Sequence, residues 1–111
     1  MENTNEFDKA IKFSFNESVN YAEKAVVSKH ILRKNTGNIS LFAFDKEEGL
    51  SEHSAPFDAL VNVVDGKADI IIDGKSNILQ AGDAIIMPAN VPHALKAIEQ
   101  FKMVLTMIKG D

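Results

Sequence analysis

Two Asp-Gly pairs, Asp65-Gly66 and Asp73-Gly74, stand eight residues apart between runs of β-branched residues, and no other feature restricts the fold as much. Both central residues of a tight type I′ hairpin turn need positive φ, which glycine adopts freely and aspartate tolerates. Val63-Val64 precedes the first pair and Ile71-Ile72 the second, so one turn chemistry is used twice. A third corner follows at Ala81-Gly82-Asp83, then the apolar run Ala84-Ile85-Ile86-Met87. The pattern predicts a meander of short antiparallel strands: Ala59 to Val64, Lys67 to Ile72, Lys75 to Gln80 and Ala84 to Met87. Past the loop Pro88-Ala89-Asn90-Val91-Pro92 come two more, Ala94 to Ile98 and Phe101 to Ile108. Such a meander brings its ends together. One end carries His53 and the other His93.

The first half of the chain reads as strand and loop as well. Residues 1–6 form a frayed, polar terminus. The alternation Ile11-Lys12-Phe13-Ser14-Phe15 predicts a half-buried strand over Phe7 to Phe15. Asn16-Glu17-Ser18 is a loop, and Lys24 to Arg33 is a strand ending at the turn Asn35-Thr36-Gly37-Asn38. Ile39 to Phe44 is apolar on nearly both faces, so it needs cover twice, and the sequence assigns the second cover to a subunit interface. Asp45 to Ser54 is predicted to be a polar loop. Short strands every eight to twelve residues, with no clear amphipathic helix, predict an all-β barrel or sandwich.

Composition removes several classes of function. A chain of 111 residues, 45% hydrophobic and 25% charged, is one globular domain of ordinary size. Its formal charge of −4 and scattered Lys and Arg speak against nucleic acid, which needs a basic face. With no cysteine there is no disulfide, thiolate nucleophile or thiolate metal ligand. No apolar stretch approaches the roughly 18 residues of a membrane span, and the polar start predicts a cytoplasmic protein.

The spacing of Gly49, His53 and Gly66, then of Gly82, Pro88 and His93, resembles the two motifs of the cupin superfamily. The first motif has a glycine, a His-x-His pair, a glutamate and a second glycine. Laid on His53 and Gly66, its second histidine falls on Ala55 and its glutamate on Ala59. The second motif is matched by Gly82, Pro88 and His93, with Asn90 where a glycine is usual and Ala97 where an asparagine often follows. The resemblance covers about residues 39–108 and is to the small single-domain cupins. It implies a double-stranded β-helix, or jelly roll, with a pocket at the open end of the barrel. It also implies a divalent transition metal (Zn, Ni, Fe or Mn) on three His and one Glu, small organic ligands, and homodimers that exchange or pair N-terminal strands.

Carried over residue by residue, His53 and His93 match two of the four metal ligands, while Ala55 and Ala59 have no lone pair to offer. Catalytic metal sites use about three protein ligands plus water. His30, Glu52 and Asp58 are the candidates for a third. Asp65, Asp73 and Asp83 read as turn residues, and Met87, Met103, Leu105 and Met107 as lining of the barrel. The leading expectation is a dimeric cupin binding a small, partly apolar molecule, with His53, His93, Asp58 and Met87 as contacts and no catalytic residue assigned. A metal-dependent dioxygenase or isomerase is the second, and a dimeric structural or regulatory module the third.

Overall fold

Seven strands make up the computed structural model, which describes residues 6–109: β1 Val26–Lys34, β2 Gly37–Phe44, β3 Gly49–His53, β4 Asp58–Ile72, β5 Lys75–Gln80, β6 Ala84–Met87 and β7 His93–Ile108. All pairings are antiparallel. The two long strands organise the rest. Their outer halves, Asp58–Gly66 and Phe101–Ile108, pair with each other and carry β6 on one side and β2 and β1 on the other. Their inner halves, Ala68–Ile72 and His93–Ala97, also pair and carry β5 and β3. Each long strand thus passes from one layer to the other, which is the jelly-roll arrangement.

The passage is made at Asp65-Gly66, where the expected hairpin turn is instead a bulge inside one continuous strand. Gly66 has φ +80, and the β4–β7 register shifts on both sides of it. An extra residue in one strand bends it and flips its side-chain parity. Upstream, Ala59, Val61 and Val63 point into the core; downstream, Ala68 and Ile70 do. The second pair behaves as the sequence predicts. Asp73 and Gly74, with φ 52 and 79, close the β4–β5 hairpin in the I′ conformation.

Between the layers lies one core, built from Phe44, Val61, Val63, Ile70, Phe101 and Met103 among others. Phe44 and Phe101 stack with ring centroids 4.4 Å apart and an interplanar angle of 7°.

Other expectations are corrected. Phe7 to Phe15 is not a strand; it makes one backbone bond to the barrel, Phe7 N–H to Ile31 O at 3.1 Å, and its rings pack on one another. Alternation there reflects an aromatic cluster rather than a ladder. Asp45 to Ser54 is not all loop, because Gly49–His53 pairs with β7. Ala94–Ile98 and Phe101–Ile108 are one strand. The second cover of β2 comes from the chain itself: Val19, Tyr21 and Phe7 pack on Leu41, Ala43 and Val104. Tyr21 donates its hydroxyl hydrogen to Asp65 Oδ2 at 2.5 Å, and Lys102 Nζ donates to Asn16 O at 2.6 Å, which ties this N-terminal segment to the bulge. The apolar character of Ile39–Phe44 therefore needs no partner subunit. Residues 1–5 of the expected frayed terminus lie outside the described residues.

Candidate functional site

The meander does bring its ends together. His53 ends β3, His93 begins β7, and the two are direct partners in the ladder. Their Nε2 atoms are 3.2 Å apart and their rings meet edge to face, with centroids at 4.4 Å. Each ring is fixed by its own backbone. His53 Nδ1 lies 2.8 Å from Ser51 O, and His93 Nδ1 lies 3.2 Å from Val91 O. A carbonyl oxygen only accepts, so both Nδ1 atoms donate.

The loop between β6 and β7 is pinned over this end of the barrel. Asn90 takes φ 65, a conformation that asparagine tolerates better than other side chains, and its N–H donates to Ala55 O at 2.7 Å. That accounts for an asparagine where the resemblance leads one to expect glycine. Ala89 N–H donates to Asp58 Oδ1 at 2.8 Å, and Asp73 N–H donates to Pro92 O at 2.8 Å.

Beneath the histidines is a cavity of about 60 Å³. His53 and His93 are its polar groups. Ala55 and Ala59 line it where the resemblance places a histidine and a glutamate, so their truncation is space inside the barrel. Met87, Met103 and Met107 line it as well, with Leu50, Leu95 and Leu105 completing the wall. His93 is only 5% exposed. Burial first, and the neighbouring His53 second, push its pKa below the ordinary histidine value, against a smaller upward pull from the bond to Val91. Two larger hollows of about 320 Å³ each lie elsewhere, one along the N-terminal segment and one at the Gly37 end of the β2–β7 ladder; both are open to solvent and neither contains a histidine.

The remaining candidates are not brought into this cavity. Asp58 spends a carboxylate oxygen on Ala89 and lies on the neighbouring outer face of the sheet. His30, on β1, is the ladder partner of Ser40 on β2, with its Nδ1 3.3 Å from Ser40 Oγ. Glu52 is an exposed residue of β3. Among the described residues no three His, Asp or Glu side chains converge on one point. The donor set therefore does not fit the four-ligand divalent site that the resemblance implies. Sequence reasoning found Met87, Met103, Leu105 and Met107 as lining. It missed Leu50, hidden because β3 was read as a loop, and Leu95, which lies in a predicted strand whose inward face the sequence alone did not assign to this cavity.

A model of the cupin domain matches residues 40–109. Among solved structures, a conserved Streptococcus pyogenes protein of unknown function is 32% identical over all of this chain and 97% of its own, with a TM-score of 0.90. A cupin 2 conserved barrel domain protein from Leptotrichia buccalis is 41% identical over 87% of this chain but only 47% of its own, with a TM-score of 0.85. The KdgF protein from a Halomonas species, at 20% identity and a TM-score of 0.71 over 92% of this chain and 97% of its own, shares the fold. No curated protein matches the chain.

Proposed function

We propose, from the premise that this chain belongs to the cupin family, that it binds a small, partly apolar molecule in the mouth of its barrel, in the cytoplasm. The observation that carries this is one cavity with two imidazoles at one end and only aliphatic and thioether side chains around the rest. Such a cavity orients a ligand by its head group and holds its body by apolar contact. An imidazole near neutral pH can donate or accept, which suits a carboxylate or carbonyl head. Size narrows the class further. About 60 Å³ is well under the several hundred typical of drug-sized ligands, so the body has only a few carbon atoms. A dioxygenase or isomerase on a divalent metal would have two of its usual four ligands here, so the binding reading is preferred.

The test is ligand-observed NMR on metal-free protein with a series of short carboxylates and ketones. The proposal expects binding that weakens at least tenfold in His53→Ala/His93→Ala. Binding of no member of the series by the wild-type protein would overturn it.

A homodimer belongs to the same reading, with its face moved. Leu60, Ile86 and Ile108 are 40%, 61% and 69% exposed on the outer side of the β6–β4–β7 sheet. Ile86 is the ladder partner of Leu60, and Leu60 and Ile108 share the outward parity of β4 and β7. Exposed apolar side chains gathered on one sheet face mark an interaction surface.

A further inference from the structure

One side chain belongs to two hollows. Met107 lines the cavity beneath the histidines, and it also lines the open hollow of about 320 Å³ at the Gly37 end of the β2–β7 ladder. No other residue is common to the two. Its backbone is fixed by ladder pairing with Asn38 on one side and Ala59 on the other, so only the thioether arm can move. Methionine is unbranched with three rotatable bonds and adapts to irregular space. The histidine end is held more firmly. His53 is tied to Ser51 O and to His93 Nε2, and the loop above it is pinned at Ala89 and Asn90. Displacing a group there breaks hydrogen bonds, whereas displacing Met107 breaks packing alone.

The hollow beyond Met107 differs from the cavity in charge. Lys34 and Lys109 line it together with Thr36, over an apolar floor that includes Leu32 and Ile39. No carboxylate is among its lining residues. Two ammonium groups beside an apolar floor, with no acid to neutralise them, suit an anion carried on an apolar body. The cavity itself has imidazoles at one end and aliphatic and thioether groups elsewhere. With Met107 swung aside the two spaces form one path, which runs from imidazoles through a short apolar stretch to lysines. A ligand that uses the whole path is polar at both ends. Burial sets which end takes the charge. His93 is buried, and burial disfavours the charged form, so the histidine end suits an uncharged carbonyl. Lys34 and Lys109 are exposed and suit a carboxylate.

We propose that this path takes a short oxo acid, with its carbonyl at His53 and His93, its few carbons in the cavity, and its carboxylate beyond Met107 at Lys34 and Lys109. The histidine end rests on the binding reading above; the lysine end is independent of it and is tested separately.

The experiment is calorimetric titration of the metal-free chain with straight-chain oxo acids of increasing length, a methyl ketone at one end and a carboxylate at the other. The simple methyl ketone and the simple carboxylate of each length are titrated beside them. The best oxo acid is expected to bind at least tenfold more tightly than either simple compound of its length. Lys34→Gln/Lys109→Gln should remove that advantage, so that oxo acid and ketone bind alike; both lysines are exposed, so folding is not at stake. Met107→Ala should speed association of the oxo acid at least tenfold in stopped flow. An oxo acid bound no better than the ketone, an advantage that survives loss of the lysines, or an unchanged association rate in Met107→Ala would each overturn the proposal. Should Met107→Ala fail to fold, the lysine variant decides alone. Ketone binding without the oxo-acid advantage overturns this proposal and leaves the binding reading standing, whereas binding of none of the three compounds overturns both.

Discussion

His53 and His93 are 40 residues apart in sequence and opposite one another in the β3–β7 ladder, which is why their rings touch. Directly opposed residues in an antiparallel pair have Cβ atoms only about 5 Å apart, so two imidazoles in that register are forced into contact. The contact is a product of pairing, and everything the site can do follows from it.

The buried member of the pair makes stability depend on pH. Its pKa is lowered in the folded chain, so below the ordinary value of 6.5 the unfolded chain binds the proton more readily. Stability is full above about pH 6.5 and falls as pH drops from there to the folded pKa, where the loss levels off. The melting temperature should decline across that window in the wild-type protein, with a shallower slope in His93→Asn. Equal slopes would show that His93 does not titrate as its burial requires.

Gly66 and Gly74 share nearly the same φ, +80 and +79, but not the same surroundings. A Cβ at Gly74 meets nothing within 4 Å, so Gly74→Ala should cost only the left-handed penalty of about 1–2 kcal/mol. A Cβ at Gly66 would stand 1.7 Å from Gln100 O, inside the strand crossing. Gly66→Ala should cost at least about 2 kcal/mol more, as for other steric overpacking, or prevent folding. Chemical denaturation of both variants measures the difference, and similar costs would refute the bulge.

Those two positions also show how much was legible in the sequence. Asp-Gly announces positive φ, and both pairs adopt it; nothing local says whether a pair ends a strand or bends it. The decision is made by β7, on which Val63 and Ala68 both stay paired across the bulge. The N-terminal segment failed for a related reason: Phe7, Phe13 and Phe15 satisfy their apolar surface with one another and with the barrel, without a ladder. The histidine pair was readable because motif spacing fixes register. The methionines were readable only as lining, since which residues share a cavity is a property of the closed barrel.

Tyr21 is the chain's single tyrosine, so its ionisation can be followed by absorbance without interference. Burial first, then the bond and the charge of Asp65, push its pKa well above the usual value of 10. The titration should show no phenolate near pH 10 in the folded protein and a return toward that value in Asp65→Asn. Tyr21→Phe should lose about 1.5–3 kcal/mol, the range for a hydrogen bond to a charged group, less where solvent reaches it. An ordinary phenolate transition in the wild-type protein would show that the N-terminal segment is not held at the bulge.

Restoring the two truncated positions tests the correspondence with the family's ligand set. Ala55→His/Ala59→Glu should take up about one equivalent of Zn or Ni per chain, while the wild-type protein holds far less under the same dialysis. Both side chains would enter the cavity that Ala55 and Ala59 now line. No gain in the variant would show that the backbone there does not aim them at the histidines.

The outer face of the sheet makes a separate prediction. Ile86→Glu puts a charge at a side chain 61% exposed, so the monomer should keep its stability within about 0.5 kcal/mol. Light scattering should report a dimer for the wild-type chain and a monomer for the variant. A wild-type monomer at all concentrations would remove the dimer from the account.

The central claim is that His53 and His93 are joined Nε2 to Nε2 at the polar end of the cavity. Long-range nitrogen–proton NMR on metal-free protein reads the hydrogens of each ring directly. The account predicts a hydrogen on one Nε2 that couples to the Nε2 nitrogens of both rings. No hydrogen on either Nε2 would leave two lone pairs facing each other, and would contradict it.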